Sequence, residues 1–541
     1  MRRFFCLISL FLVVVSGCSS STSDPPRDAR IAPGIDVTTS DGPVHGASAD
    51  GARSWKGIPF AAPPTGANRF RAPQPTTPWT AARDATAFGS VCAQGKNDGT
   101  FGSGTEDCLF LNVWSPEPAP AKALPVMVFI HGGGFISGAG SNGLYEGTKL
   151  AATEHVVMVT LNYRLGALGF LAHSALAAED PANGTGTYGL QDQRAALQWV
   201  QKNIRAFGGD PENVTLFGES AGGFSVTMHL ASPGSAGLFH RAVIESGATT
   251  AWQRLPTVAE VEPDAAALAA ALGCTDPVIA CLRSKPFVDV MMGLEPVTLP
   301  PGGLFQGAVR VPVWIPVMDG VFLPEQPSER YAAGKLNAVP TMVGTNASEG
   351  TLFHAGLLGD TPVSSAPDYE GALGLMFGAD APKVLARYPA ASFKDFDAAL
   401  AQLESDAYFT CPARRAARIL AKAGVPVYRY QLTRPLDVGV LASLGATHAA
   451  ELPYVFGNND PVQGGVDDRG APLREAMMRY WTRFAAVADP NGGSDPVWPK
   501  YDAAVDPYLT LDLPPVASKA LLSDTCDFWD GLPPLAFHKA H

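Results

Sequence analysis

A serine in a glycine-flanked turn constrains the fold of this chain more than any other feature. Ser220 stands at the centre of the motif GESAG (residues 218–222), between a strand-like run at residues 214–217 and a helix-like run at residues 223–230. A sharp turn from a strand into a helix exposes the serine hydroxyl and tolerates only small residues on either side. The helix that follows directs unpaired backbone N–H groups to the place where negative charge develops during acyl transfer. We therefore predict that Ser220 is a nucleophile.

Buried strands alternate with helical segments through the middle of the chain. Residues 126–130 and 156–161 are apolar on both faces, as expected for strands inside a sheet that helices cover on both sides. Residues 190–204 have helical spacing, and strand patterns return at residues 339–344 and 425–432. The alternation predicts an α/β fold with a doubly wound, mostly parallel central sheet.

Two less regular segments, residues 255–330 and 355–420, are rich in Ala and Pro. We interpret them as helical insertions over the carboxyl edge of the sheet, within a single domain over residues 35–541. The chain has 541 residues, of which 46% are hydrophobic and 17% charged, so it can bury a large core. Its formal net charge is −12 and it carries no basic stripe, which argues against nucleic acid as a partner.

The N-terminal residues predict export. Two arginines precede an apolar stretch at residues 4–15, which is too short to span a bilayer as a mature helix. Residues 15–18 (VSGC) resemble the bacterial lipobox, in which cleavage leaves the cysteine, here Cys18, as a lipidated N-terminus. We expect a signal peptide at residues 1–17, a flexible tether at residues 18–34 and a lipid anchor at the bacterial cell envelope, in the outer membrane if the organism has one. The alternative is cleavage nearby without lipidation, which gives a secreted protein.

The cysteine content agrees with export. Of eight cysteines, Cys6 leaves with the signal peptide and Cys18 would carry the lipid. An oxidising compartment pairs the remaining six as disulfides by default, although the residues alone leave the connectivity open. No pair has C-x-x-C spacing and no histidine lies near a pair, so we expect no metal site. The six are Cys92, Cys108, Cys274, Cys281, Cys411 and Cys526.

A serine hydroxyl needs a base that takes its proton. In α/β hydrolases the chain order is Ser, acid, His. His448 lies in a loop shortly after the predicted strand at residues 425–432, at the edge of the sheet where catalytic loops belong. His229 and His240 follow Ser220 too closely and are expected on the next helix and at its exit. We therefore predict that His448 is the base.

The acid that orients the histidine should follow an intervening strand. Glu349 comes directly after the predicted strand at residues 339–344, and a buried carboxylate there would hold the imidazole in one tautomer. Two rivals are less well placed. Asp319 is expected to cap its own turn, and no strand precedes Asp406.

The oxyanion of the tetrahedral intermediate needs preorganised N–H donors. The motif HGGGF, which begins at His131, directly follows the predicted strand at residues 126–130. Glycines let the backbone approach a substrate oxygen without a Cβ in the way. We predict an oxyanion hole from the N–H groups of Gly133, Gly134 and Ala221, and a structural role for His131.

With these residues in place, the chain resembles the type-B carboxylesterase family, which includes cholinesterases and bacterial para-nitrobenzyl esterases. The resemblance runs over residues 36–530 and implies the α/β-hydrolase fold. It places the family's catalytic residues on Ser220, Glu349 and His448. The matching motifs are KGIPFA (residues 56–61), EDCLFLNVW (106–114), NYRLG (162–166), FGGDP (207–211) and FGESAGG (217–223).

The resemblance also implies pairings that the residues alone leave open. Glu219 and Ser246 are expected behind the catalytic residues as supporting groups. The remaining pairs are structural: the disulfides Cys92–Cys108, Cys274–Cys281 and Cys411–Cys526, and the ion pairs Arg69–Glu106 and Arg164–Asp192.

These expectations combine into a serine carboxylesterase that acts on small-molecule esters through an acyl-enzyme intermediate, with no metal or organic cofactor. The segment between Cys92 and Cys108 is short and holds one aromatic residue, Phe101, whereas cholinesterases place a choline-stacking tryptophan in a longer loop. The resemblance therefore favours a general ester hydrolase. An amidase or lactonase with the same residues and a non-catalytic binding protein on this fold are the alternatives. Acyl-chain length, alcohol and oligomeric state stay open.

Overall fold

The strands of one large mixed sheet come from most of the length of the chain. The computed structural model describes residues 31–95, 101–248, 253–294, 314–355, 362–460, 464–533 and 535–536. The described residues form one eleven-stranded sheet. In chain order its strands are β1 (Ala47–Ala49), β2 (Ala52–Pro59), β3 (Phe110–Pro116), β4 (Leu124–Ile130), β5 (Val157–Leu161), β6 (Gly209–Glu219), β7 (Arg241–Glu245), β8 (Thr341–Asn346), β9 (Val427–Leu432), β10 (Pro507–Leu511) and β11 (Val516–Lys519).

The middle of the sheet is parallel and its two edges are antiparallel. The strand order is β11-β10-β9-β8-β7-β6-β4-β5-β3-β2-β1. All neighbours from β10 to β5 pair in parallel, while β11 at one edge and β3, β2 and β1 at the other pair antiparallel. The predicted mostly parallel α/β sheet is confirmed.

Helices cover both faces of this sheet. In chain order they are α1 (Thr148–Glu154), α2 (Gly166–Phe170), α3 (Ser174–Glu179), α4 (Tyr188–Asn203), α5 (Ala221–Ala231), α6 (Val258–Ala271), α7 (Val278–Ser284), α8 (Phe287–Met292), α9 (Pro327–Ala332), α10 (Ala366–Phe377), α11 (Ala381–Arg387), α12 (Phe396–Glu404), α13 (Cys411–Lys422), α14 (Leu452–Phe456), α15 (Ala471–Val487) and α16 (Ser523–Asp530). Short strands outside the sheet lie at Asp36–Thr38, Pro43–His45, Arg83–Asp84, Gln94–Gly95, Phe101–Ser103, Gln253–Arg254 and Leu535–Ala536.

Strand β4 shows why this sheet must be covered on both faces. Its side chains alternate between two separate hydrophobic clusters, as the period of two along a strand requires. Val126 and Val128 pack into the cluster that includes apolar residues of α4. Met127 and Phe129 pack into the cluster on the other face, which includes apolar residues of α15. A strand that is apolar at every position therefore belongs in the centre of a three-layer fold.

Prolines lie at the start of two elements. The strand expected at residues 339–344 is β8, Thr341–Asn346, which begins after Pro340 because proline has no N–H to donate to a ladder. Helix α15 begins at Ala471 and carries a proline in its first turn, where the missing N–H costs no hydrogen bond.

The three disulfides implied by the resemblance are all formed. They join Cys92 to Cys108, Cys274 to Cys281 and Cys411 to Cys526. Such bonds indicate a chain that folds in an oxidising compartment outside the cytosol. The signal peptide and Cys18 lie outside the described residues. In the described ranges, no helix has the length and apolarity needed to cross a membrane.

A buried ion pair holds the loop after β5 against α4. The Arg164 guanidinium donates to both carboxylate oxygens of Asp192 at 2.7 Å, and neither side chain is more than 3% exposed. Burial raises the pKa of Asp192, and Arg164 opposes that rise. The second predicted pair, Arg69 with Glu106, is bidentate as well, at 2.6 and 2.7 Å.

We expect Arg164→Met to lower the free energy of unfolding by about 3–5 kcal/mol, because it leaves the Asp192 carboxylate buried without its partner. Urea unfolding followed by tryptophan fluorescence measures this loss. Arg71→Met is the matched control, since the pair of Arg71 with Glu179 lies at the surface and is expected to contribute about 0–1 kcal/mol. Equal stabilities of the two variants would contradict the prediction.

Candidate active site

Ser220 occupies a strained turn between β6 and α5. Its φ is +56° and its ψ is −122°, a conformation that side-chain-bearing residues rarely adopt. The turn is held by two backbone hydrogen bonds: Ser220 N donates to the carbonyl of Glu245 at 3.0 Å, and Phe224 N donates to the Ser220 carbonyl at 2.8 Å. A Cβ at Gly222 would lie 1.9 Å from the Ile130 carbonyl oxygen, so only glycine fits there. The glycines of the motif are therefore required by the turn, and the turn leaves Ser220 partly exposed.

Glu349 and His448 are brought together from two loops at the carboxyl edge of the sheet. Glu349 follows β8 and His448 follows β9, and the Nδ1 of His448 lies 2.6 Å from Glu349 Oε2. Glu349 Oε1 accepts from Ser246 Oγ and from Asn346 N, each at 2.6 Å. Both side chains are buried. The carboxylate thus has partners on both oxygens and can hold the imidazole in the tautomer that carries its proton on Nδ1.

The other ring nitrogen of His448 faces the nucleophile turn. His448 Nε2 lies 3.1 Å from Oε1 of Glu219, the residue directly before Ser220. Burial alone lowers the pKa of His448, but the neighbouring carboxylates, Glu219 first, outweigh it and raise the pKa to about 9. Burial raises the pKa of Glu219 to about 7, although His448 opposes the rise. Negative charge on Glu219 therefore favours the protonated form of His448.

A second group of buried polar residues lies behind this pair and was not predicted. Asn346, the last residue of β8, donates through its carboxamide to the Thr447 carbonyl at 2.9 Å and to Glu451 Oε2 at 2.5 Å. Burial, and then the nearby Glu219 and Glu349, raise the pKa of Glu451 to about 8, so this residue carries a proton at neutral pH. Glu451 stands three residues after His448, and that spacing was the only sequence signal for it.

Two phenylalanines limit the orientations open to the imidazole. The rings of Phe353 and Phe409 lie 5.2 and 4.9 Å from the ring of His448, centroid to centroid. Phe409 is carried by a π-helical segment, Ser405–Thr410, between α12 and α13. Segments of this kind occur frequently at functional sites. Ser405 Oγ also accepts from Gly350 N at 2.9 Å, which ties the segment to the loop that carries Glu349.

The glycine-rich loop after β4 lies against the nucleophile turn. Gly133 and Gly134 have φ values of +100° and +61°, and a Cβ at Gly132 would lie 3.1 Å from the Cβ of Ser220. Ala221 is the first residue of α5, so its N–H group belongs to the first turn, where no carbonyl of the helix can accept from it. The loop that carries Gly133 and Gly134 and the N-terminus of α5 therefore both lie beside Ser220.

His131 packs beneath the backbone of this loop, between Tyr163 and Gly132. Its ring stacks on Tyr163 with centroids 4.4 Å apart, and its Nδ1 lies 2.8 Å from the Gly132 carbonyl oxygen. Burial lowers the pKa of His131 to about 4, so the ring is neutral at physiological pH. A neutral, fully buried ring with these partners supports the predicted structural role.

The rejected candidates lie elsewhere. Asp319 accepts from the backbone of Val321 and Leu323 and so caps its own turn, as expected. Asp406 accepts from the Tyr388 hydroxyl at 2.9 Å. His229 lies within α5, bonded to neighbouring polar side chains. Within the described ranges, no group of three or more His, Cys, Asp and Glu side chains is arranged to hold a metal ion.

Comparisons with known proteins agree with this architecture. A model of the carboxylesterase family matches residues 34–529. The para-nitrobenzyl esterase of Bacillus subtilis is 37% identical over 488 residues, covering 88% of this chain and 94% of the relative. The acetylcholinesterase of Bungarus fasciatus is 36% identical over 550 residues, covering 93% of this chain and 88% of the relative. A solved structure of PNB esterase superposes with a TM-score of 0.78 at 35% identity, over 91% of this chain and 99% of that one. The chain therefore belongs to the carboxylesterase family and is a carboxylic ester hydrolase.

Proposed function

We propose that the protein hydrolyses carboxylic esters through an acyl-enzyme formed on Ser220. His448 takes the proton of the Ser220 hydroxyl while its oxygen attacks the ester carbonyl carbon. Glu349 keeps Nδ1 of the imidazole protonated and stabilises the imidazolium that forms. The N–H groups of Gly133, Gly134 and Ala221 hold the developing oxyanion.

The second half of the reaction uses the same groups in reverse. The imidazolium of His448 gives its proton to the leaving alcohol, which departs and leaves an acyl ester on Ser220. His448 then takes a proton from a water molecule, whose oxygen attacks the acyl carbonyl, and returns that proton to Ser220. Proton and bond changes balance over the cycle, and no step needs a cofactor.

One observation carries this proposal. Glu349 binds His448 Nδ1 at 2.6 Å, and the opposite ring nitrogen faces the residue next to Ser220. A hydrogen-bonded acid and base beside a serine in a strained strand-to-helix turn is the arrangement that activates a hydroxyl. Glu219 and Ser246 support it, the first beside Nε2 and the second on Glu349.

Hydrolysis of para-nitrophenyl acetate, butyrate and octanoate by the chain from residue 35 onward tests the proposal. We expect turnover of the esters and a burst of nitrophenol when deacylation is the slower step. The matching para-nitroanilides and an aliphatic lactone are assayed in parallel. Faster hydrolysis of the anilide or the lactone would replace the esterase proposal by an amidase or lactonase. Ligand binding without turnover of any of them would favour a binding protein.

The pH dependence reports on Glu219. A neutral imidazole is required to accept the serine proton, so kcat/KM falls as pH drops through the pKa of His448. Since Glu219 raises that pKa, we expect the acid limb of the wild-type profile to lie above the ordinary histidine value. Glu219→Gln removes the charge and should move the limb to lower pH by about one unit, because burial then favours the neutral ring. Glu212→Gln, at an exposed site, is the control, and identical acid limbs in all three proteins would contradict the prediction.

We also propose that the protein is exported and anchored by a lipid on Cys18, with residues 35–541 acting as one domain. The disulfides support export, and the lipobox-like residues 15–18 support the anchor. Cys18→Ser should move the protein from the membrane fraction to the soluble fraction of cells. Membrane association unchanged by this substitution would contradict the anchor and leave the esterase proposal untouched.

A further inference from the structure

The loop that follows β4 has an irregular backbone. Gly133, Gly134 and Gly138 have φ values of +100°, +61° and +108°, which glycine adopts readily, but Phe135, which has a side chain, has a φ of +65°. The Phe135 conformation costs free energy and persists only where surrounding groups hold it in place. The start of the loop is held by β4, and its end needs a separate support.

A side-chain amide holds the end of the loop. Gln94 Nε2 donates to the Gly138 carbonyl at 3.1 Å, and Gly138 N donates back to Gln94 Oε1 at 3.0 Å. The pair of bonds matches the two that backbone peptide groups exchange across antiparallel strands. Nε2 also donates to the carbonyl of Cys92 at 3.0 Å, so both hydrogens and the oxygen of this amide are used.

The Cys92–Cys108 disulfide fixes the position of Gln94. Cys92 is two residues before Gln94, and its partner Cys108 lies just before β3, a strand of the central sheet. A second amide makes a parallel connection: Asn162 donates to the Cys108 carbonyl at 3.1 Å and accepts from Gly140 N at 2.9 Å. The disulfide segment is therefore joined to the loop at two points, Gly138 through Gln94 and Gly140 through Asn162.

We propose that Gln94 is a positioning residue for the oxyanion hole. Its reciprocal bonds to Gly138 keep the loop in the conformation that aims the Gly133 and Gly134 N–H groups at the substrate oxygen. The inference rests on the proposed function, because it takes those two groups as the oxyanion donors. Gln94 itself does not touch the substrate.

A role of this kind has a kinetic signature. The oxyanion exists only in the transition state and tetrahedral intermediate, so misplaced donors lower kcat and leave substrate binding unchanged. We expect Gln94→Ala to lower kcat for para-nitrophenyl butyrate about 10- to 100-fold, with KM little changed. A trifluoromethyl ketone, which forms an oxyanion adduct with a serine, should bind more weakly by the same factor.

Gln94→Glu separates positioning from general stability. An ionised carboxylate at this position can accept from Gly138 N but has no hydrogen to donate, and it faces two carbonyl oxygens. A protonated carboxyl group there has the same donor and acceptor arrangement toward Gly138 as glutamine. The ratio of kcat in Gln94→Glu to wild-type kcat should therefore rise as pH falls from 8 to 5. Gln74→Glu is the matched control, since Gln74 is exposed and its side-chain amide donates only to the nearby Ala72 carbonyl among the described contacts.

The outcomes are distinct. Wild-type kcat in Gln94→Ala, a loss borne by KM, or a pH-independent ratio for Gln94→Glu would each overturn the positioning role. If Gln94→Ala fails to fold, the pH ratio of Gln94→Glu still decides, because thermal unfolding at each pH shows that the protein is folded. An inactive wild type, or equal activity in Ser220→Ala, would instead sink the proposed function.

Discussion

Ser220→Ala is expected to lower kcat for para-nitrophenyl butyrate about 10⁶-fold, to a residual rate that the oxyanion loop and substrate binding supply. The physical reason is that Ser220 carries the only hydroxyl of the GESAG motif and stands in the strained turn between β6 and α5. Binding should survive, because alanine removes one oxygen atom and the turn keeps its backbone hydrogen bonds. Nitrophenol release by the variant, measured at several enzyme concentrations, gives this residual rate.

The nearest serine on α5 provides the control. Ser225 Oγ donates to the Ala221 carbonyl at 2.8 Å and lies inside the protein, one helical turn from the site. Ser225→Ala should keep wild-type kcat even if it unfolds at a lower temperature. Mass spectrometry after reaction with a fluorophosphonate should place the label on Ser220 in this variant and find none in Ser220→Ala. Turnover that persists in Ser220→Ala would exclude a serine acyl-enzyme.

Glu349→Gln is expected to lower kcat about 10⁴-fold while leaving the fold intact. The amide can turn its NH₂ group toward Nδ1 of His448, which then accepts a hydrogen bond and places the ring proton on Nε2 instead. That tautomer cannot take the proton of Ser220. The loss should fall on kcat and kcat/KM alike, because the acid acts through the base and not on the bound ester.

Glu451→Gln is the matched control for this prediction. Both glutamates are fully buried, Glu349 shortly after β8 and Glu451 just before α14. The pKa of Glu451 is raised to about 8, so it is neutral at pH 7 and an amide of the same shape should replace it with little loss. Equal losses in Glu349→Gln and Glu451→Gln would mean that the cluster acts through packing, and would contradict the assignment of Glu349 as the orienting acid.

Much of the fold could be predicted from sequence because its signals are local. A strand that is apolar at every position, such as β4, predicts a sheet whose two faces are both covered by helices. The antiparallel edges were not predicted, because short strands such as β1 and β11 are mostly exposed and their sequences have no distinctive period. The π-helical segment Ser405–Thr410 was missed as well, since its extra residue per turn leaves no mark in the spacing of apolar residues.

Part of the candidate site could also be predicted from local signals. The glycines around Ser220 and in the HGGGF motif can be recognised in the sequence, because steric clashes within a few residues decide which residues fit. The partners of His448 could not be predicted in this way. Phe409, Asn346 and Glu451 meet this region only because β8, β9 and the π-helical segment Ser405–Thr410 pack together.

By itself the sequence determined the turn that exposes Ser220, the glycine loop and the buried centre of the sheet, since backbone sterics and hydrophobic periodicity act over short stretches. Only the tertiary structure determined the pKa values in the site and the contacts that hold its loops in place. The pKa of His448 depends on the carboxylates of Glu219 and Glu349, and the hydrogen bonds of Gln94 with Gly138 join residues 44 positions apart. A pKa depends on burial and on charges from residues that are distant in sequence, so it cannot be read from a short stretch of the chain.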